Sequence, residues 1–153
     1  MMDTKKFTHR LTKVLVDMMF YGGILVCILL PFWITRQSEL YIGYENNIAN
    51  SIHIAILLPA GICAVYILFQ LKMIFKTLMA GNPFVLVNVS CLRKCGVASF
   101  LMGIIFILRL IFWFTAGSVV LIIICALLGL FCLTLKDVFK QAIVYKEEND
   151  WTV

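Results

Sequence analysis

Residues Val97 to Leu135 read VASFLMGIIFILRLIFWFTAGSVVLIIICALLGLFCLTL and carry a single charged side chain, Arg109. Thr115-Ala116-Gly117-Ser118 divides the stretch into two apolar runs, 97–114 and 119–135. Each approaches the roughly 20 helical residues that cross roughly 30 Å of hydrocarbon. A connection this short forces an antiparallel helical hairpin. The stretch therefore predicts two membrane-spanning helices.

Toward the N-terminus two more such runs occur, 14–35 and 51–75. The first closes on Pro31, Phe32 and Trp33, and the polar segment after it holds Tyr41 and Tyr44, aromatic residues suited to the headgroup layer. The second offers Ser51 as an N-cap, carries Pro59 and Gly61 where a kink is expected, and should run on to Ala80. Gly81, closely followed by Pro83, is a helix stop. Asn82 as N-cap and Pro83 at the first helical position can open a short new helix. Val85, Val89 and Leu92 recur along it at helical spacing. It reads as an amphipathic segment lying on the membrane surface.

Composition agrees. The chain of 153 residues is 63% hydrophobic and 14% charged, against roughly 45–50% and 25% for soluble domains, and its mean hydropathy is +1.02. The fold expected is all-α, one domain over 1–153, with four transmembrane helices and a tail over 136–153. No internal repeat and no cleaved signal peptide is read. Of six cysteines, Cys27, Cys63, Cys125 and Cys132 lie inside apolar runs, where cysteine acts as a small hydrophobe. No disulfide framework is implied.

The net charge of +5 invites comparison with nucleic-acid binders, but no basic cluster interleaved with aromatics sits on a soluble face. Direct nucleic-acid contact is not expected. The basic residues flank the spans instead. Lys5, Lys6, Arg10 and Lys13 precede the first; Lys72, Lys76, Arg93 and Lys94 lie between the second and third; Lys136, Lys140 and Lys146 come after the fourth. Only Arg36 lies on the opposite side. By the positive-inside rule, both termini are cytoplasmic and the protein sits in a cell membrane.

No phosphate loop, HExxH motif or Ser/His/Asp set is present, and His9 and His53 belong to opposite membrane sides. No enzymatic activity, cofactor or metal is expected. Cys91 and Cys95 share a helix face and suit packing, metal binding or oxidation, but a structural zinc needs four ligands. Asp17 reads either as a proton or cation site within the first span or as an i,i+4 partner of Lys13. Arg109 lies about 18 Å beyond Val97. It either snorkels outward to Glu39 or Glu45, with Trp113 one turn on available for stacking, or serves a ligand or transport role.

Gly81-Asn82-Pro83-Phe84, then Asn88 and Leu92-Arg93-Lys94-Cys95-Gly96, resembles the G-x-P-F…N…L-R-K-x-G signature of a bacterial membrane family, domain of unknown function 2975. The end of the chain, Val138-Phe139 and then Tyr145-Lys146-Glu147-Glu148-Asn149-Asp150-Trp151-Thr152-Val153, is similar to that family's acidic C-terminus. The resemblance implies a four-span bacterial inner-membrane protein without an established activity, whose gene often accompanies a small helix-turn-helix repressor.

Both motifs fall on the expected cytoplasmic side, whereas transporters gather unusual residues at the midplane. The function expected is therefore a non-enzymatic inner-membrane protein that binds a cytoplasmic partner such as a small transcription regulator. The alternative is a small-solute or peptide transport component, or an immunity protein against a membrane-active peptide, with Arg109 in its site. For the partner-binding reading, residues 82–96 and the tail from Lys136 are expected to pack into one surface. Its candidates are Asn82, Pro83, Phe84, Asn88, Arg93, Glu147, Glu148 and Asp150; Arg109 and Asp17 are candidates within the spans. The topology makes a direct prediction. Reporter fusions after Asn47 should report outside, and those after Asn88 or Val153 inside; an inside signal at Asn47 contradicts four spans.

Overall fold

The computed structural model describes the backbone of residues 2–41 and 47–151 and the side chains of residues 10–36 and 51–149. Among the described residues, four helices make up the fold: α1 (Met2–Tyr41), α2 (Asn47–Met79), α3 (Leu86–Phe112) and α4 (Ala116–Trp151). Each holds a segment long and apolar enough to cross a membrane: Arg10–Arg36, Ser51–Met79, Leu86–Phe112 and Ala116–Asn149. The protein is an all-helical, multi-pass membrane protein. Four successive crossings bring both termini and the α2–α3 connection to one end, the terminal end. The α1–α2 and α3–α4 connections lie at the other, the hairpin end.

Packing runs in chain order, with α2 on α1, α3 on α2 and α4 on α3. Among the described residues, α1 packs on α2 alone. The other three helices share two buried clusters. Ala60, Phe106 and Cys125 form one, and Ile74, Cys91 and Leu92, covered by Leu135 and Phe139, form the other nearer the terminal end. The apolar side chains that remain exposed, such as Met18, Ile28 and Phe32 on α1 and Leu127 and Phe131 on α4, are suited to lipid contact.

Between helices surrounded by lipid, association depends on close van der Waals packing, which small residues permit. The α3–α4 seam is built this way. A Cβ on Gly129 would lie 2.9 Å from the Phe100 ring, and one on Gly96 would lie 3.0 Å from Leu133 and 3.2 Å from the Gly129 carbonyl oxygen. Cys91, Cys95 and Ser99 on α3 and Ser118, Cys125 and Cys132 on α4 are buried as well. On the other side, Gly61 lets α1 approach: a Cβ there would meet Cys27 Sγ at 2.8 Å. The Pro59–Gly61 region therefore serves the α1–α2 contact, and α2 passes through Pro59 without leaving the helical state.

The stop at Gly81 is as expected. Gly81 has φ +81°, its N–H donates to the Leu78 carbonyl at 3.1 Å, and the Asn82 N–H donates to the Thr77 carbonyl at 3.3 Å. This is the Schellman pairing that satisfies the last carbonyls of a helix. Beyond Gly81 the chain departs from the expectation. Residues 82–85 form a loop without regular structure, Val85 rather than Asn82 is the N-cap, and one helix runs unbroken from Leu86 to Phe112. The segment expected as a separate surface helix is the first three turns of α3. Its inward face is Asn88, Cys91, Leu92 and Cys95, one position round from the apolar stripe, because Asn88 is buried with its polar atoms satisfied. Two further boundaries shift. α2 begins at Asn47, a turn before Ser51, and the last turn closes by Ala116, which leaves Gly117 and Ser118 inside α4.

The seam makes a quantitative prediction. Gly129→Ala drives a methyl into the Phe100 ring and should cost about 1–3 kcal/mol, the usual penalty of overpacking. Gly22→Ala meets nothing within 4 Å and should gain up to about 1 kcal/mol of helix propensity. Thermal unfolding of the two variants in detergent checks this, and equal shifts would contradict the seam.

Candidate functional site

Asn88 organises the connection between α2 and α3. Its side chain is 0% exposed. The amide Nδ2 donates to the Pro83 carbonyl at 2.7 Å, and Oδ1 accepts from the Thr77 hydroxyl at 2.6 Å. Turning the amide over would set its oxygen against the Pro83 carbonyl, so this assignment is fixed by the partners. The Thr77 hydroxyl also faces the Ile74 carbonyl at 2.8 Å, leaving its single proton between two acceptors. Asn88 thus ties the last turn of α2, the loop of residues 82–85 and the first turn of α3 together. Pro83 supplies an accepting carbonyl, and Phe84 packs on Phe139 of α4 with ring centroids 5.6 Å apart. The loop motif and the start of the tail do meet, through aromatic contact. Asn82 is exposed.

Charges mark the depth of this end. Arg93 precedes Trp113 by twenty residues, about 30 Å of helix, which matches the hydrocarbon thickness. Lys72 lies about 32 Å beyond Ser51, and Lys136 about 27 Å beyond Ser118. Lys72, Arg93, Lys94 and Lys136 therefore form one belt at the boundary of the terminal end. Asp17 enters the same belt from α1. Its Oδ1 lies 2.7 Å from Lys72 Nζ, with the two side chains 32% and 37% exposed. The expected partner, Lys13, is displaced by a cation on the facing helix. That cation also lies 5.2 Å from the ring centres of Phe20 and Tyr21, so its charge is balanced and its stem covered where it enters low dielectric.

Arg109 lies at the hairpin end. Its Nη1 donates to Ser118 Oγ at 3.0 Å, Ser118 is 0% exposed, and the Arg109 carbonyl accepts from the Trp113 N–H at 2.9 Å. The residue closes the α3–α4 hairpin with both side chain and backbone. Its Nε is buried without a partner among the described residues. The Trp113 ring, expected as a stacking partner of Arg109, instead packs on His53 of α2 with centroids 3.9 Å apart. Glu39, Glu45 and Asp150 have side chains outside the described residues.

Glu147 and Glu148 are exposed on α4, which continues as helix to Trp151 instead of ending in an acidic tail. The tail's inward side is Leu135, Phe139 and Ile143; Val138 and Tyr145 are exposed. Cys91 and Cys95 are buried, with Cys95 Sγ 3.9 Å from the Ile67 carbonyl, a packing arrangement. Among the described residues no three of His, Cys, Asp and Glu gather as metal ligands.

Thr77, Ser118 and Phe139 are partners that sequence reading misses. Ser118 is within its reach: positions 109 and 118 are symmetric about the turn at Trp113–Phe114. Thr77 has no local signal, because its link to Asn88 depends on how the loop folds back.

The Arg109–Ser118 bond predicts an asymmetry. Ser118→Ala strands a charged donor and should cost about 1.5–3 kcal/mol. Arg109→Leu removes the charge and its insertion cost together, so it should insert normally and cost less. Detergent melting of both single variants and the double variant tests the pairing. Strictly additive shifts would count against it.

Among curated proteins and solved structures, none matches this chain. A family model does: the one described as "Protein of unknown function (DUF2975)" matches residues 20–153, a region holding the loop motif, the last three spans and the acidic end. The resemblance read from Gly81–Phe84, Asn88 and the C-terminal residues is thereby established, and the chain belongs to the DUF2975 family.

Proposed function

We propose that this chain is a non-enzymatic bacterial inner-membrane protein with cytoplasmic termini whose projecting α4 end docks a cytoplasmic partner, a small helix-turn-helix regulator. The observation that carries the reading is the length and dress of α4. The helix continues fifteen residues past Lys136, about 22 Å, and Val144 and Tyr145 are exposed on that extension, Tyr145 at 70%. A helix outside the hydrocarbon has no need of exposed apolar side chains; beside charge they form the kind of surface a partner groove accepts. Here Asp137, Lys140, Gln141, Val144, Tyr145 and Glu148 border one hollow of about 550 Å³. The acidic residues complement the basic face that DNA-binding domains carry, so docking would compete with DNA for the regulator. The gene pairing that the family resemblance implies supports the same partner.

One observation favours a second reading, a transport component or immunity protein: the buried Arg109 Nε at the hairpin end, without a partner among the described residues. The first reading is preferred because the family motif and the exposed helix end share the terminal side.

The test is a pull-down of tagged full-length chain from detergent-solubilised bacterial cells, followed by titration of the recovered regulator against purified chain. Val144→Ser with Tyr145→Ser should weaken that affinity on the order of tenfold, as loss of an exposed aromatic anchor does, without changing the level of protein in the membrane. Unchanged affinity overturns the α4 docking site.

A further inference from the structure

A groove of about 510 Å³ runs between α2 and α3 on the face turned away from α4. Its walls are apolar, with Tyr66 from α2 and Val97 and Leu101 from α3. Toward the terminal end Ser90, Arg93 and Lys94 border it. Ser90, Arg93, Lys94, Val97 and Leu101 are spaced i, i+3, i+4, i+7, i+11, a single stripe of α3 about 16 Å long. Arg93 and Lys94 are exposed, and neither is in an ion pair among the described residues. The helix length to Trp113 puts them at headgroup depth, while Val97 and Leu101 lie one and two turns deeper, in hydrocarbon.

We propose that this groove is a binding site for one anionic glycerophospholipid of the leaflet on the terminal side, with an acyl chain laid between α2 and α3 and the phosphate held by Arg93 and Lys94. The chemistry of the groove selects this occupant in three ways. Its length is open to the bilayer, and Tyr66, Val97 and Leu101 are all exposed along it, so an occupant must be at home in hydrocarbon. Among the described residues its head carries two cations and no carboxylate, so the occupant must be anionic where its chain ends. A guanidinium presents paired donors that fit two phosphate oxygens at once, and the neighbouring ammonium and the Ser90 hydroxyl add a point charge and a donor. A zwitterionic headgroup would place its ammonium against the same two cations. Basic pockets between spans, at the level of the headgroups, are where anionic lipids are held. The groove is separate from the hollow on α4 and from the Asp17–Lys72 pair, both of which use other side chains.

Native mass spectrometry of the purified full-length chain in detergent, with phosphatidylglycerol or phosphatidylcholine added at equal concentration, tests the site. One phosphatidylglycerol per chain should be retained preferentially. Arg93→Gln with Lys94→Gln should weaken that binding about thirtyfold, the worth of two surface charges, and leave phosphatidylcholine adducts unchanged. Lys140→Gln with Lys146→Gln removes the same charge away from the groove and should change neither. Leu101→Trp, at an exposed position, fills the apolar end and should lower phosphatidylglycerol retention with all charges in place. Inorganic phosphate in tenfold excess should not displace the lipid. The proposal is overturned by equal retention of the two lipids, by an equal loss in the Lys140/Lys146 variant, by indifference to Leu101→Trp, or by displacement with phosphate alone.

Discussion

A carboxamide brings two donors and two acceptor positions into whatever environment surrounds it, and an apolar one penalises every bond left unmade. Asn88 is fully buried, and both halves of its amide are used, one on Thr77 of α2 and one on the Pro83 carbonyl of the loop. These two bonds decide where α3 begins relative to where α2 ends. They hold the loop of residues 82–85 across the terminal end, where Phe84 packs on Phe139 of α4. With the start of α3 fixed, Cys91 and Leu92 fall beside Ile74, and the stripe of Cys95, Ser99 and Gly103 faces its neighbours one turn after another.

The same economy operates elsewhere. Several polar groups drawn into the helices are answered by a neighbouring element: Arg109 Nη1 by Ser118, Asp17 by Lys72, and the α2 carbonyls at Gly81 by the loop amides. Between these fixed points the helices meet through small residues, since lipid supplies no hydrophobic drive for one apolar helix to seek another. This accounts for the division of the fold. α2, α3 and α4 have polar ties and glycine seams and share two cores. Among the described residues, α1 has Gly23 against Leu68 and Val65, Gly61 against Cys27, and one ion pair at the belt, and it packs on α2 alone.

Much of this is legible in the amino-acid sequence. Four spans, the tight hairpin, the stop at Gly81 and the family come from apolar run length, turn chemistry and a short motif, all local signals. The helix beyond Lys136 is legible too, because Leu135, Phe139 and Ile143 keep helical spacing. What escapes is non-local. A period-based reading places Asn88 on the outer face of a surface helix, since polarity is counted as exposure until a partner is known. Asp17 goes to Lys13 on its own helix because the facing lysine, Lys72, is brought near only by packing. Sequence spacing offers Trp113 to Arg109, yet His53, sixty residues away, occupies its face. Residues in the spans are thus legible by type and depth, and their partners are not.

The central claim is that the Asn88 amide holds the α2–α3 connection, and hydrogen exchange in detergent tests it most directly. Asn88→Leu keeps the branching of the side chain while removing both amide bonds and leaving the Pro83 carbonyl with the Val85 N–H alone, a loss of about 1–3 kcal/mol. Backbone amides of residues 80–88 should then exchange about tenfold faster or more, while those of residues 113–118 at the hairpin end keep their protection. Unchanged exchange over 80–88, or an equal acceleration at both ends of the molecule, would contradict the claim.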